Sequence, residues 1–263
     1  MVRHRSEGTQ PGNPHRLTLR QHVLPSKTIA RFCDADGRVS AHLVESGREL
    51  RLKPQDQLFW VKRVWDQRAE SVLGKNIEDK FQAIAEQLSE GSLLTLEQEM
   101  HEAVTEMYLL WRYRFLAARE PREDMVVNGI RGEELTIDEQ ERLESRATAF
   151  VRADGSMSGR TMTGLGIQMA MMSDWANGAE RMRWGVLRAV AGLEFVVPDA
   201  FIDQPLVPVS PNVYLVSGVR DAHAGLETVA DINRAALGAA GRYWFCRRPD
   251  RAPAFLRTIP WSK

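Results

Sequence analysis

At 263 residues, with 35 lysines and arginines balanced by 35 aspartates and glutamates, the chain carries a formal net charge of zero. That balance excludes a surface dominated by one sign, and with it a whole-surface electrostatic grip on nucleic acid. The length allows a substantial core without disulfide staples, and Cys33 and Cys246 lack any Cys-x-x-Cys or Cys/His spacing, which argues against structural zinc and for a reducing compartment.

No run of about 18 apolar residues occurs, so no membrane span is expected. Met1 to Arg20 contains Arg3, Arg5, Arg16 and Arg20 but no apolar core of a secretory signal, and the expectation is a cytoplasmic protein. Residues 1–17 hold Gly8, Pro11, Gly12 and Pro14 among polar neighbours and read as a flexible basic arm. Residues 18–246 read as one α+β domain with a helical middle over about 77–178, and 247–263 as a basic tail.

Pro25 should open a short helix with Ile29 and Phe32 on one face, stopped by Asp34-Ala35-Asp36-Gly37. Arg38–Val44 and Glu49–Lys53, joined through Ser46-Gly47, predict a hairpin. Leu58 to Trp65 supplies aromatic core residues. Ile77, Phe81, Ile84, Ala85 and Leu88 then predict an amphipathic helix ended by Gly91, with Glu78 in its first turn.

Thr95-Leu96-Glu97-Gln98 has the pattern of a capping box ahead of the longest helix, which runs through Met100, Val104, Met107, Tyr108, Trp111 and Phe115 towards Pro121. Thr136-Ile137-Asp138-Glu139 is a second box, with Leu143, Ala147 and Phe150 along one side of its helix. Met162, Leu165, Met169, Met172 and Trp175 mark another helix. Its Gly164-x-Gly166 lacks a third glycine and follows no strand, so a dinucleotide loop is not predicted. The methionines at 162, 169, 171 and 172 suit core packing or a partner helix.

From Trp184 the period changes. Trp184–Val190 and Leu193–Val197, turned at Ala191-Gly192, and Asn212–Val216 after a proline-rich link predict an antiparallel sheet. Leu226–Ala240 reads as a last helix and Arg242–Cys246 as a short apolar strand. The expected fold is α+β, a mixed or antiparallel sheet from the N-terminal hairpin and the C-terminal strands, packed with the central helices.

Several of these stretches, in order, resemble the bacterial domain-of-unknown-function family numbered four-two-three-eight. The resemblance rests on His22, Pro25, Ile29 and Phe32, on Ile77-Glu78, on Trp184, on Pro198-Asp199 and Pro208-Val209-Ser210-Pro211, and on Asn233 with Arg242-Tyr243. It spans roughly residues 20–246. The family's Ser-Asp-Asn-Pro-like turn keeps only its aspartate here, because Pro198, Ala200 and Phe201 replace the neighbours. The resemblance implies a fold and no reaction.

Three classes of function follow. As a ligand-sensing or partner-binding module, with a phage-defence or mobile-element setting suggested by the orphan family, the chain would use Ser210, Asn212, Arg112 and Asn233 with the Asp199 turn. As a metal-dependent phosphodiester hydrolase it would use His22 as base or ligand with the carboxylates of Glu78 and Asp199, and a divalent metal as cofactor. As an assembly protein it would form a homo-oligomer through the long and the methionine-rich helices. Nucleic acid is a candidate partner through the basic termini, by contact with phosphate.

Overall fold

The computed structural model describes residues 7–255. Of the arm expected over residues 1–17, residues 1–6 lie outside the described residues; residues 7–17 run along the surface and are tied by side chains: Gln10 bonds Glu141, His15 bonds Asp138, and Leu17 is buried. Polar chains stay free only where nothing offers them partners, and here a later helix does. Strand β1 (Arg20–His22) follows, then helix α1 (Ser26–Arg31), whose Ile29 and the adjoining Phe32 are fully buried. Burying each such side chain is worth about 1.5–3 kcal/mol.

The hairpin forms as β2 (Val39–Leu43) and β3 (Glu49–Leu52), in register Val39 to Leu52 and His42 to Glu49. Strand β4 (Trp60–Lys62) pairs antiparallel with β1, a pairing too short to announce itself by alternation. A wide π-helical turn over Ala69–Gly74 leads into α2 (Lys75–Glu90), which ends at left-handed Gly91. Its buried face is the expected one, from Ile77 to Leu88.

The longest helix, α3, covers Gln98–Arg119 and is capped at Glu97 without a side-chain bond, so the box anticipated at Thr95 does not form. After the short strand β5 (Met125–Val126), helix α4 (Ile137–Ser145) does carry the full reciprocal box between Thr136 and Glu139. It stops earlier than its apolar pattern suggests, with Ala147 in the left-handed region at φ 58°. Its buried residues are Glu141 and Glu144 rather than the expected apolar side. Strand β6 (Ser156–Met157) pairs with β5 and leads into α5 (Gly159–Ala176), capped by Ser158. On α5, Met171 is buried while Met169 and Met172 face solvent.

Strand β7 (Trp184–Ala189) is as expected, but the segment after Gly192 does not turn back on it. Only Val197–Pro198 is extended, as β8, and it pairs in the other sheet. The proline-rich link is itself a strand, β9 (Leu206–Ser210), hairpinned to β10 (Val213–Ser217) with an irregularity at Val213/Tyr214. Strand β11 (Ala222–Ala224) joins β7 in parallel, α6 spans Leu226–Ala239, and β12 covers Tyr243–Cys246.

Two four-stranded sheets result, in the orders β11-β7-β10-β9 and β3-β2-β12-β8. The second joins the N-terminal hairpin to the C-terminal strand, through Trp244 opposite His42. The fold is therefore α+β, with the β11-β7-β10-β9 sheet mixed and the β3-β2-β12-β8 sheet antiparallel. One apolar cluster runs from Val23 to Ala252 through both sheets and helices α2 and α3. Among the described residues no helix is long and apolar enough to cross a membrane.

Candidate functional site

The residues anticipated for hydrolysis are each held by a structural partner. His22 bonds the carbonyl of Pro54 through Nε2 at 3.2 Å, and burial lowers its imidazole below the usual 6.5. Glu78 pairs with Arg114, a guanidinium almost wholly buried that also bonds Glu70 at 3.2 Å, contacts the His22 carbonyl at 3.4 Å, and lies over the Trp65 ring. Trp65 donates to the same Glu70 oxygen at 2.6 Å. The cluster therefore joins α2 and α3 to the end of β1. Gly74 is required beside it, because a Cβ there would collide with the Arg114 guanidinium.

Asp199 is spent elsewhere. Its two carboxylate oxygens accept the consecutive amides of Gly241 and Arg242, both at 2.8 Å, and its carbonyl accepts Trp111 Nε1 at 3.0 Å. Burial pushes its carboxyl up from the ordinary 3.8, against those two N–H bonds. Among the described residues no three His, Cys, Asp or Glu side chains converge as a metal ion's ligand set. His22 and Glu78 meet around Arg114, while Asp199 is held at the Gly241–Arg242 turn.

The four residues anticipated for ligand binding also serve the fold. Asn233 is fully buried; its Oδ1 accepts Val196 N–H at 2.8 Å and its Nδ2 donates to the Glu194 carbonyl at 3.0 Å. The amide stands in for a neighbouring strand, which is why residues 193–196 need no hairpin with β7. Ser210 is buried and bonds Asn212 across the β9–β10 turn at 2.9 Å. Arg112 pairs with Asp174 at 3.2 Å, and Tyr113 donates to that same carboxylate at 2.6 Å.

Three separate stretches of the chain nonetheless meet. Val23, Asp199, Arg242 and Tyr243 line one small cavity with Phe115 and Trp60. Its volume is about 30 Å³, enough for about one water molecule and too small for a metabolite.

A much larger concavity lies at one end of the β3-β2-β12-β8 sheet, where β2 begins and β3 and β12 end. It measures about 540 Å³ and is lined by Arg51, Arg247, Arg248 and Arg251 with Asp34 and Asp250. Strand β3 supplies Arg51, the loop between α1 and β2 supplies Asp34, and the segment leaving β12 supplies the others. Four guanidinia meet two carboxylates there, and below them lies Glu194, only 2% exposed. Arg247 gives Glu194 Oε1 two bonds, from Nη2 at 2.8 Å and Nε at 3.1 Å, while Arg251 stands 4.0 Å from the same oxygen. Arg248 grips Asp250 at 2.9 and 3.2 Å, and Arg51 pairs with Asp34.

A guanidinium has five N–H donors, so these pairs orient the arginines and leave donors over. The side chains of Arg51, Arg247, Arg248 and Arg251 are 43%, 36%, 49% and 42% exposed, open to a ligand. Sequence reasoning had the basic tail but not Arg51 or Glu194. A strand arginine and a lone glutamate carry no local signal that they will share a cleft. Comparison with family models, curated proteins and solved structures finds no match to this chain.

Proposed function

We propose that the chain is a ligand-binding module, that its site is the arginine cleft, and that its ligand carries phosphate or several closely spaced anionic groups. The observation that carries this reading is the convergence of four half-exposed guanidinia, from two separate parts of the sequence, on one concavity of ligand size. Arginine's planar fork suits bidentate contact with phosphate oxygens; the lining itself has two more cations than anions, and Glu194 beneath it and Asp36, 4.0 Å from Arg51, bring the wider cluster to balance. The same reading makes nucleic acid a candidate partner through its backbone.

A thermal-shift series at low salt tests this with inorganic phosphate, a nucleoside triphosphate and a single-stranded oligonucleotide as separate arms. A ligand present at 100 times its Kd stabilises the folded chain by about 2.7 kcal/mol, a readily measured rise in Tm. The rise is expected to fall with added salt and to vanish in the Arg248→Ala/Arg251→Ala chain, whereas Arg234→Ala on α6 should leave it intact. No rise in any arm at low salt would refute the reading. The arm that responds separates a free phosphate ligand from a nucleic-acid backbone.

A further inference from the structure

Helix α4 is unusual in what it buries: its two covered side chains are carboxylates, Glu141 and Glu144. Glu144 Oε2 accepts Arg63 Nη2 at 2.8 Å and Arg160 Nε and Nη2 at 3.0 and 2.8 Å. Beside this pair, Arg152 bonds Asp124. Arg63 is 2% exposed and Arg160 9%, so both charges need compensation within the protein. Arg63 also has φ 43°, a left-handed conformation that costs a non-glycine residue about 1–2 kcal/mol. The backbone is held in a poor conformation to place that guanidinium.

Three cations, Arg63, Arg152 and Arg160, therefore face two carboxylates of the folded body, Asp124 and Glu144. The third carboxylate comes from the N-terminal segment. Glu7 takes both Oε atoms to Arg152 Nη2, at 2.8 and 3.1 Å, and pairs with Arg160 as well. Arg63 Nη1 meanwhile donates to the Glu7 and Gly8 carbonyls, each at 3.1 Å. Side chain and backbone of one extended acidic residue are read together. Yet residues 7–16 include no fully buried residue before Leu17. The Glu7 side chain itself is 52% exposed, so a competing carboxylate can reach its partners.

We propose that Arg63, Arg152 and Arg160 form a receptor for an acidic residue on an extended peptide, that the chain's own Glu7 fills it here, and that an acidic segment of a partner protein binds by displacing residues 7–10. This site is independent of the arginine cleft, on another part of the fold.

The test uses the full chain and a fluorescent peptide copying residues Glu7–Leu17. Glu7→Ala should bind the peptide roughly tenfold more tightly than the unaltered chain, because the resident competitor has lost its charge-assisted bonds. A peptide with alanine in place of its glutamate should lose that gain, as should adding Arg152→Ala to the Glu7→Ala chain. Glu7→Gln, which keeps the side-chain size, repeats the measurement if Glu7→Ala folds poorly. Equal affinities for the unaltered and Glu7-substituted chains at matched Tm would overturn the proposal, and so would equal binding of the glutamate and alanine peptides.

Discussion

Glu194 and Arg247 form a two-bonded ion pair in which the carboxylate is buried and the guanidinium reaches the surface. This asymmetry makes the cleft what it is. The buried partner fixes the arginine's position, and the exposed partner keeps donors for a ligand. It also sets an order of costs on mutation. Arg247→Ala strands a buried carboxylate and should cost about 3 kcal/mol, while Glu194→Gln leaves a guanidinium that water can still reach and should cost about 1 kcal/mol. Urea melts of the two variants check the order; equal losses would mean that the pair is solvated on both sides.

Asp199 should show the opposition between burial and hydrogen bonding in its pH dependence. Its folded carboxyl is raised above 3.8, so between 3.8 and the folded value the native state holds more proton than the unfolded chain. The stability due to this group is full below 3.8 and is lost as pH rises through the folded value. The difference in unfolding free energy between the unaltered chain and Asp199→Asn should therefore be most favourable to the unaltered chain near pH 3.5 and decline by pH 7. A difference that grows with pH would show that the Gly241 and Arg242 amides outweigh desolvation.

Gly164 was singled out in the sequence as part of Gly164-x-Gly166, and the fold supplies the reason for that glycine. Helix α5 crosses the π-helical turn so closely that a Cβ at Gly164 would strike the Asp66 carboxylate and stand 3.0 Å from the Ala69 Cβ. Gly164→Ala should cost about 1–3 kcal/mol by overpacking. Gly238→Ala, with open space around it, is the control and should be near neutral or slightly stabilising in thermal melts.

The Tyr113 phenol ionises at about 12, raised by burial and by its hydrogen bond to Asp174. Asp174→Asn should bring its ionisation down, read as earlier growth of tyrosinate absorbance in an alkaline titration. Unchanged absorbance would place the phenol apart from Asp174.

Much of the fold is legible in the residues, because it follows local rules. Pro25, Gly91, the Thr136 box and the Ile77–Leu88 stripe mark helix ends and faces, and the expected hairpin pairs with Tyr243–Cys246 as the sheet class implied. Failures come where a distant side chain replaces a backbone partner. Asn233 completes residues 194–196, and Arg63 with Arg160 lets α4 bury Glu144 where its apolar residues suggested a different face. Neither interaction leaves a periodic trace.

The candidate site was harder to read for the same reason. His22, Glu78 and Asp199 have the residue types chemistry uses, yet Pro54, Arg114 and the Gly241–Arg242 amides occupy them. The arginines that remain accessible come together only when β3 and the end of β12 flank β2, with Arg51 and Cys246 both opposite Ser40.

The most direct measurement of the central claim is fluorescence anisotropy of a labelled single-stranded oligonucleotide, or of a labelled nucleoside triphosphate, titrated with the full chain over a salt series. The account predicts binding that weakens steadily as salt rises, with a shallower salt slope and at least about a tenfold loss of affinity in Arg248→Ala/Arg251→Ala. Binding of the same strength in that variant, or no binding of either probe at low salt together with no rise in Tm on adding inorganic phosphate, would contradict it.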